Sequence, residues 1–262
     1  MNLRVEIEAR NLAAGRPIEW VAKVLSADTA EPAVNFGTDM RGNHYKEAKR
    51  HQESVLAPLE RKVLIWAAQR MPCWVNSDHL TALGLLSMFL AGTSLGLARW
   101  VPWLTLLAPL FLALNWVGDS LDGTLARVRN KQRPRYGYYV DHVVDGFNTL
   151  FLLGGLALSG LMSPVIALSM LAAYSLLCID SYLAAHATGR FRISHFRFSP
   201  TELRILLGVG FICAWINPFV IFMGAKWLLL DVAGVVAIPL MLTAAIASVV
   251  HNTHTLYKLE RV

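Results

Sequence analysis

Long apolar runs dominate this 262-residue chain and limit how it can fold. A helix needs roughly 18–20 mainly apolar residues to cross the hydrocarbon core of a bilayer. Only 16% of the residues are charged and 55% are hydrophobic, which leaves too little charge for the surface of a soluble domain of this length. We therefore predict an all-α integral membrane protein with about six transmembrane helices. The predicted spans are residues 80–98, 103–117, 143–161, 164–183, 203–223 and 227–250.

Basic residues are concentrated in alternate loops between these spans, and the net charge is +6. They precede the first span (Lys46, Lys49, Arg50, Arg61, Lys62, Arg70), follow the second (Arg127, Arg129, Lys131, Arg133, Arg135) and follow the fourth (Arg190, Arg192, Arg197). The opposite loops hold only Arg99 and Lys226. Because basic loops stay in the cytoplasm, we expect both termini there. The basic loops favour anionic lipids or phosphate substrates, and we expect no nucleic-acid partner.

The chain is predicted to have four parts. Residues 1–54 form a polar cytoplasmic segment, 55–76 an amphipathic helix and turn, 77–255 the six-helix membrane domain and 256–262 a cytoplasmic tail. Between residues 55 and 71 the apolar residues recur at helical spacing, with charged residues on the other side. This pattern suits either a helix lying in the membrane interface or one packing on the cytoplasmic ends of the bundle.

Four aspartates lie at the facing ends of the second and third spans. Asp119 and Asp122 are three residues apart and Asp141 and Asp145 are four apart, so each pair shares one face of a helix. A short basic loop joins the two helices, which makes them antiparallel and brings both pairs to a similar depth. Four converging carboxylates repel one another unless cations or protons intervene. Oxygen ligands of this kind favour Mg²⁺ or Mn²⁺, and two ions could hold a diphosphate between them.

Small residues and an arginine accompany the aspartates. Gly123 and Ala126 leave room for a phosphate group to approach the helix, and Arg127 can bind phosphate oxygens. An alternative is that the aspartates lie at the membrane surface and pair with nearby arginines. That explanation suffices for one aspartate, but it does not account for four at these spacings.

The full pattern is D-x2-D-G-x2-A-R, nine residues, then G-x3-D-x3-D, from Asp119 to Asp145. It resembles the signature of the CDP-alcohol phosphatidyltransferases, with every motif position filled. The resemblance implies six core membrane helices, usually a homodimer, and Mg²⁺ or Mn²⁺ at a cytoplasmic active site. It also implies that an alcohol hydroxyl attacks a CDP-linked phosphate and releases CMP, a reaction of phospholipid biosynthesis.

The same resemblance implies roles for individual residues. Asp119, Asp122 and Asp141 are similar to the metal ligands, and Asp145 to a general base that can also touch metal. The nucleotide and its diphosphate are expected at the small and basic motif positions, which are Gly123, Ala126, Arg127 and Gly137.

Less specific sequence features bear on which alcohol is the acceptor. Residues 72–86, the segment D-H-x-x-D at Asp141 and the segment S-P-T-E ending at Glu202 resemble the choline/ethanolamine phosphotransferase branch. Glu202 would suit a cationic amine headgroup. Nearby arginines would suit a phosphorylated alcohol instead, namely Arg192, Arg197 and Arg204. The donor stays open between CDP-diacylglycerol and a CDP-alcohol.

Two other functions share part of this pattern. A polyprenyl-type transferase also binds diphosphate through aspartates, but its D-D-x-x-D clusters lack the glycine and arginine elements found here. A divalent-cation transporter would need acidic groups near mid-membrane on several spans, whereas here they gather at one interface.

Overall fold

The computed structural model describes residues 57–188, 200–222 and 224–260. The whole of the predicted polar segment, residues 1–54, lies outside these ranges. Three predicted basic residues of the loop after the fourth span also lie outside them, namely Arg190, Arg192 and Arg197.

The described chain is built almost entirely from helices. They are α1 (Ala57–Arg70), α2 (Ser77–Leu97), α3 (Leu107–Val128), α4 (Pro134–Leu158), α5 (Pro164–Thr188), α6 (Pro200–Ile216) and α7 (Leu229–Leu259). A 3₁₀ turn, Pro102–Leu106, leads into α3. Strands β1 (Phe219–Phe222) and β2 (Ala225–Leu228) form an antiparallel hairpin before α7. The prediction of an all-α membrane protein is confirmed.

Among the described residues, four helical segments are long and apolar enough to cross a membrane. They are Ser77–Leu97, Pro102–Val128, Pro164–Ala185 and Leu229–Lys258. Helix α4 has 25 residues but carries charged groups near its start, and α6 has 17 residues. The count of six spans therefore stays a prediction.

The boundary between the fifth and sixth predicted spans is wrong. Residues 203–223 were expected to form one helix, but α6 ends at Ile216 and the β-hairpin follows. Pro218 lacks the N–H that a continuing helix needs, and the turn contains Gly224 at a φ of 78°. Apolarity alone cannot separate a buried helix from a strand, which is why the sequence pattern extended the helix.

Glycines allow α2 to approach both α3 and α4. A Cβ on Gly92 would lie 2.1 Å from the Phe151 carbonyl oxygen, and one on Gly155 would lie 2.0 Å from the Gly92 oxygen. On the α3 side, a Cβ on Gly118 would lie 2.6 Å from the Leu80 oxygen. Such backbone contact between helices is typical of membrane bundles, where small residues replace large ones at the interface.

Helix α1 packs on the end of the bundle. Ala68 is buried and belongs to an apolar cluster with Leu121 and Leu125 of α3. The opposite face of α1 exposes Val63 and Trp66, and Arg70 stacks over the Trp66 ring at 4.2 Å. One face of α1 therefore packs on the bundle, and a location of this helix in the membrane interface stays a prediction.

Candidate functional site

Three aspartates converge where α3 and α4 face each other. Asp119, Asp141 and Asp145 each offer one carboxylate oxygen, and these oxygens all lie within 4.8 Å of one another. All three residues are half-buried. Such a group of hard oxygen donors suits Mg²⁺ or Mn²⁺ better than zinc.

Asp122 stands outside this group of three. Its Oδ2 accepts a hydrogen bond from the Thr81 hydroxyl at 2.6 Å, and its Oδ1 accepts one from the Gly123 amide. The Ser77 hydroxyl donates to the Asp122 backbone oxygen at 2.8 Å. Helix α2 therefore orients Asp122, and each carboxylate oxygen keeps a further lone pair for another partner.

The local packing explains why α3 presents its aspartates here. Gly118 lies against the backbone of Leu80 and Gly84, so α3 and α2 touch one residue before Asp119. One turn deeper, the Asn115 amide donates to the Gly84 oxygen at 3.0 Å and Asn115 is fully buried. These contacts fix the rotation of α3 about its axis. The rotation in turn determines which way Asp119 and Asp122 face.

Arg204 of α6 reaches the carboxylate group. Its Nη2 lies 2.6 Å from Asp119 Oδ2, and the side chains of Arg204 and Asp119 are 16% and 30% exposed. The sequence assigned Arg204 to acceptor binding and did not predict this ion pair. The guanidinium brings positive charge to a cluster of acidic groups, and it has further donors for an anionic substrate.

The small and basic motif residues surround the same region. A Cβ on Gly123 would lie 3.5 Å from a terminal nitrogen of Arg127, whose other terminal nitrogen donates to the Thr124 hydroxyl at 3.2 Å. Around Gly137 a Cβ would meet nothing within 4 Å, so this face of α4 is open. Ala126 lines a pocket of about 370 Å³ together with Asn76, Ser77, Asp78, Leu125, Arg129, Lys131, Gln132 and Arg133.

His142 lies beside Asp141 but has other contacts. Its Nδ1 is 2.6 Å from the Tyr138 backbone oxygen, and its ring meets the Tyr182 ring edge-on at 4.3 Å. Tyr182 in turn hydrogen-bonds the Cys178 thiol on α5. These contacts form an aromatic wall between α4 and α5 near Asp145.

Two of the four predicted acceptor residues lie in α6. Arg204 is part of the site, and Glu202 is half-buried in the first turn of α6. Arg192 and Arg197 lie outside the described residues.

Sequence reasoning missed the polar side chains that support the site from other helices. Thr81 is the clearest, since it holds Asp122 across 41 residues of sequence. A signal existed: Ser77 and Thr81 are one turn apart at the start of a mainly apolar helix. Glu60, Trp116 and Thr201, which bond to one another, gave no comparable signal.

Several solved structures are similar to this chain, and one of them holds a bound ligand. It is the crystal structure of Mycobacterium tuberculosis phosphatidylinositol phosphate synthase (PgsA1) with CDP-DAG bound, at a TM-score of 0.48 and 19% sequence identity. The similarity covers 78% of this chain and 94% of that one. No protein-family model matches this chain, and no curated protein matches it.

Proposed function

We propose that this protein is a CDP-alcohol phosphatidyltransferase of membrane phospholipid synthesis. The hydroxyl oxygen of an alcohol attacks the phosphorus of a CDP-linked donor that carries the substituent to be transferred. A new P–O bond forms, the bond to the bridging diphosphate oxygen breaks, and CMP leaves. The hydroxyl proton is taken up by a carboxylate of the enzyme.

The observation that carries this proposal is the convergence of Asp119, Asp141 and Asp145, with Arg204 paired to Asp119. The motif spacing and the geometry support each other, because three of the four aspartates of the signature have carboxylates that meet. A purely structural set of surface aspartates would have no reason to be focused into a cluster of like charges, since that repulsion raises the free energy of the fold.

The donor set fits a divalent metal. We propose Asp119, Asp122, Asp141 and Asp145 as ligands for Mg²⁺ or Mn²⁺, with two ions as the preferred number. When bound, such ions neutralise charge on the diphosphate and on the leaving CMP. A carboxylate cluster of this kind is also more stable with cations bound than without them.

The remaining residues have roles in binding and proton transfer. We assign Asp145 as the general base for the acceptor hydroxyl, because it lies one turn along α4 from Asp141 and faces the same cluster. Arg127 binds diphosphate oxygens. Gly123, Ala126 and Gly137 leave the space in which the nucleotide lies.

The acceptor site is proposed next to α6. Arg204 reaches the cluster through its contact with Asp119 and is proposed to bind the acceptor there. Glu202 lies two residues earlier in the first turn of α6, and it is proposed as a further acceptor contact from the sequence alone. Arg192 and Arg197 are proposed as further acceptor contacts from the sequence alone. The choice between a cationic and a phosphorylated alcohol depends on which of these charges faces the substrate.

The charge pattern suggests how the protein is oriented. We propose that both termini and the carboxylate site face the cytoplasm, where CDP-linked donors are made, and that the enzyme lies in the cytoplasmic membrane. The family resemblance is the basis for proposing a homodimer. The basic residues near the site would also attract anionic lipids.

The test is a reconstituted assay. Purified protein in liposomes receives Mg²⁺ or Mn²⁺, either CDP-diacylglycerol or a CDP-alcohol, and a panel of acceptors. We expect CMP release only with a matched donor and acceptor and only with the metal. A protein that binds Mn²⁺ but releases no CMP with any pair would contradict the proposed activity.

A further inference from the structure

Two side chains from two helices donate to one carboxylate of a third helix, away from the aspartates proposed as metal ligands. Glu60 of α1 accepts hydrogen bonds from Trp116 Nε1 of α3 at 2.9 Å and from the Thr201 hydroxyl of α6 at 3.0 Å. The Trp116 N–H also lies 3.2 Å from the Thr201 oxygen. All three residues are half-buried. We call this set the Glu60 junction.

The Glu60 junction lies one helical turn from the ion pair of the candidate site. Trp116 precedes Asp119 by three residues on α3, and Thr201 precedes Arg204 by three residues on α6. Helices α3 and α6 are therefore linked twice, first through the junction and then by the Arg204–Asp119 pair at 2.6 Å. Residues three apart on a helix share a face, so both links lie on the same contact between the two helices.

The two hydrogen bonds to the Glu60 carboxylate are the strongest contacts of the Glu60 junction. A hydrogen bond to an ionised acceptor is shorter and stronger than one between neutral groups, and here one carboxylate oxygen receives two. Without Glu60, the half-buried Trp116 N–H and Thr201 hydroxyl would both lose an ionised acceptor, and their 3.2 Å contact with each other would remain. The first turn of α6 would then lose its hydrogen bond to α1.

We propose that Glu60 is a positioning residue that holds the start of α6 against α3, so that Arg204 meets Asp119 in the geometry needed for transfer. This role rests on the proposed function of the carboxylate site. It gives the juxtamembrane helix α1 a part in the reaction although α1 supplies none of the reacting groups. The effect travels through Thr201, and Glu60 itself does not touch the substrate.

The test uses variants of the full-length protein in liposomes. Glu60→Ala removes the acceptor, Glu60→Gln keeps a carbonyl oxygen in its place, and Thr201→Val removes the donor on α6. Lys62→Ala is the matched control, because it truncates an exposed charged side chain on the same helix. Folding is monitored for each variant by its thermal unfolding midpoint.

Two measurements are made on each variant. Hydrogen exchange followed by mass spectrometry reports the opening of the start of α6 through the amides of residues 203–207, which are the first in the helix with intrahelical acceptors, and it does so independently of catalysis. Steady-state CMP release reports kcat and KM with the donor and acceptor that the wild type uses. We expect faster exchange in Glu60→Ala and Thr201→Val and a fall in kcat/KM of up to about a hundredfold, the size expected when a reacting group is misplaced by about 1 Å.

The outcomes separate the two proposals. Non-additive effects in the Glu60→Ala/Thr201→Val double variant, with recovery in Glu60→Gln, would support the positioning role. Exchange and kinetics of Glu60→Ala that match Lys62→Ala would overturn it, and so would faster exchange with unchanged kcat/KM. A wild type that releases no CMP with any donor and acceptor overturns the proposed function itself, while the exchange measurement still reports whether the junction holds α6.

Discussion

At the scale of single residues, Asp145 allows the most direct test of the proposed chemistry. Asp145→Asn keeps the size of the side chain but removes its capacity to accept a proton. We expect kcat for CMP release to fall by at least about 10²-fold, since general-base catalysis contributes about 10²–10⁴-fold. CMP binding, measured by isothermal titration calorimetry with Mg²⁺ present, should stay close to that of the wild type.

The control for this substitution is Glu260→Gln, which neutralises an exposed carboxylate beyond the end of α7. It should leave both quantities unchanged. If Asp145→Asn abolishes CMP binding together with turnover, Asp145 acts first as a metal ligand and the base must be sought among the other aspartates.

Thr81 is predicted to tune metal binding without touching the metal. Thr81→Val removes the 2.6 Å hydrogen bond to Asp122 and leaves that carboxylate less firmly oriented. Loss of such a supporting contact typically weakens metal affinity by about 10–100-fold. Mn²⁺ titration followed by electron paramagnetic resonance checks this for the purified protein.

Thr93→Val on the same helix is the matched control for Thr81→Val. Thr93 is exposed, and its hydroxyl donates to the Phe89 backbone oxygen of the same helix. Equal loss of Mn²⁺ affinity in both variants would show that threonine truncation in α2 acts through the helix and not through Asp122.

The spacing of the aspartates was enough to predict which aspartates form the site, but it did not predict the residues that contact them. Residues three and four apart on a helix share a face whatever surrounds them, so grouping Asp141 with Asp145 needs no knowledge of the fold. The Arg204–Asp119 pair joins positions 85 residues apart. Such a contact depends on how α3 and α6 pack, which one sequence does not encode in any local pattern.

At the scale of helices, the contact of α2 with α4 depends on Gly155. We expect Gly155→Ala to destabilise the bundle by about 1–3 kcal/mol, because its Cβ would lie 2.0 Å from the Gly92 backbone oxygen and only a shift of the helices relieves that clash. The neighbouring Gly154→Ala is the control, since a Cβ there meets nothing within 4 Å. Thermal unfolding in detergent should show a lower midpoint for the first variant only.

The second half of the chain shows where helix prediction reaches its limit. The apolar run from α6 to α7 contains residues that suit strands as well as helices, such as Phe219, Val220 and Ile221. The deciding signals are the break at Asn217-Pro218 and the turn at Gly224, which occupy few positions inside an apolar background. Hydropathy is averaged over the whole run and therefore does not detect them.

At the scale of the whole molecule, the two ends of the bundle have different characters. The carboxylate cluster, the Arg129 bonds to the carbonyls of Met71 and Pro72, and the Arg133–Asp78 pair belong to one end. At the other end, the turns after α2 and α4 meet the hairpin around a pocket of about 360 Å³. Its lining is Ala98, Arg99, Pro102, Thr105, Ser159, Gly160, Leu161, Ala214, Trp215, Pro218, Phe219 and Leu228.

The pocket is lined by the turns after α2 and after α4, and this arrangement is relevant to the number of membrane spans. The turn that follows α4 lies with the turn that follows α2, so α4 covers the same thickness as α2 against which it packs. If α4 did not cross the bilayer, the turn at Ser163 would stay on the side of the acidic site. A six-span protein instead has Ser163 on the same side as Lys226, opposite to Lys131.

Cysteine labelling distinguishes these topologies. In a background without Cys73, Cys178 and Cys213, single variants Lys131→Cys, Ser163→Cys and Lys226→Cys are treated with a membrane-impermeant maleimide in intact cells and in inverted membrane vesicles. We expect Ser163→Cys and Lys226→Cys to react in cells and Lys131→Cys only in inverted vesicles, because the basic residues keep their loop in the cytoplasm. Labelling of Ser163→Cys with the Lys131→Cys pattern would reduce the count to the four strongly apolar helices. The carboxylate cluster would stay cytoplasmic in that case, since the α3–α4 turn carries the basic residues in either topology.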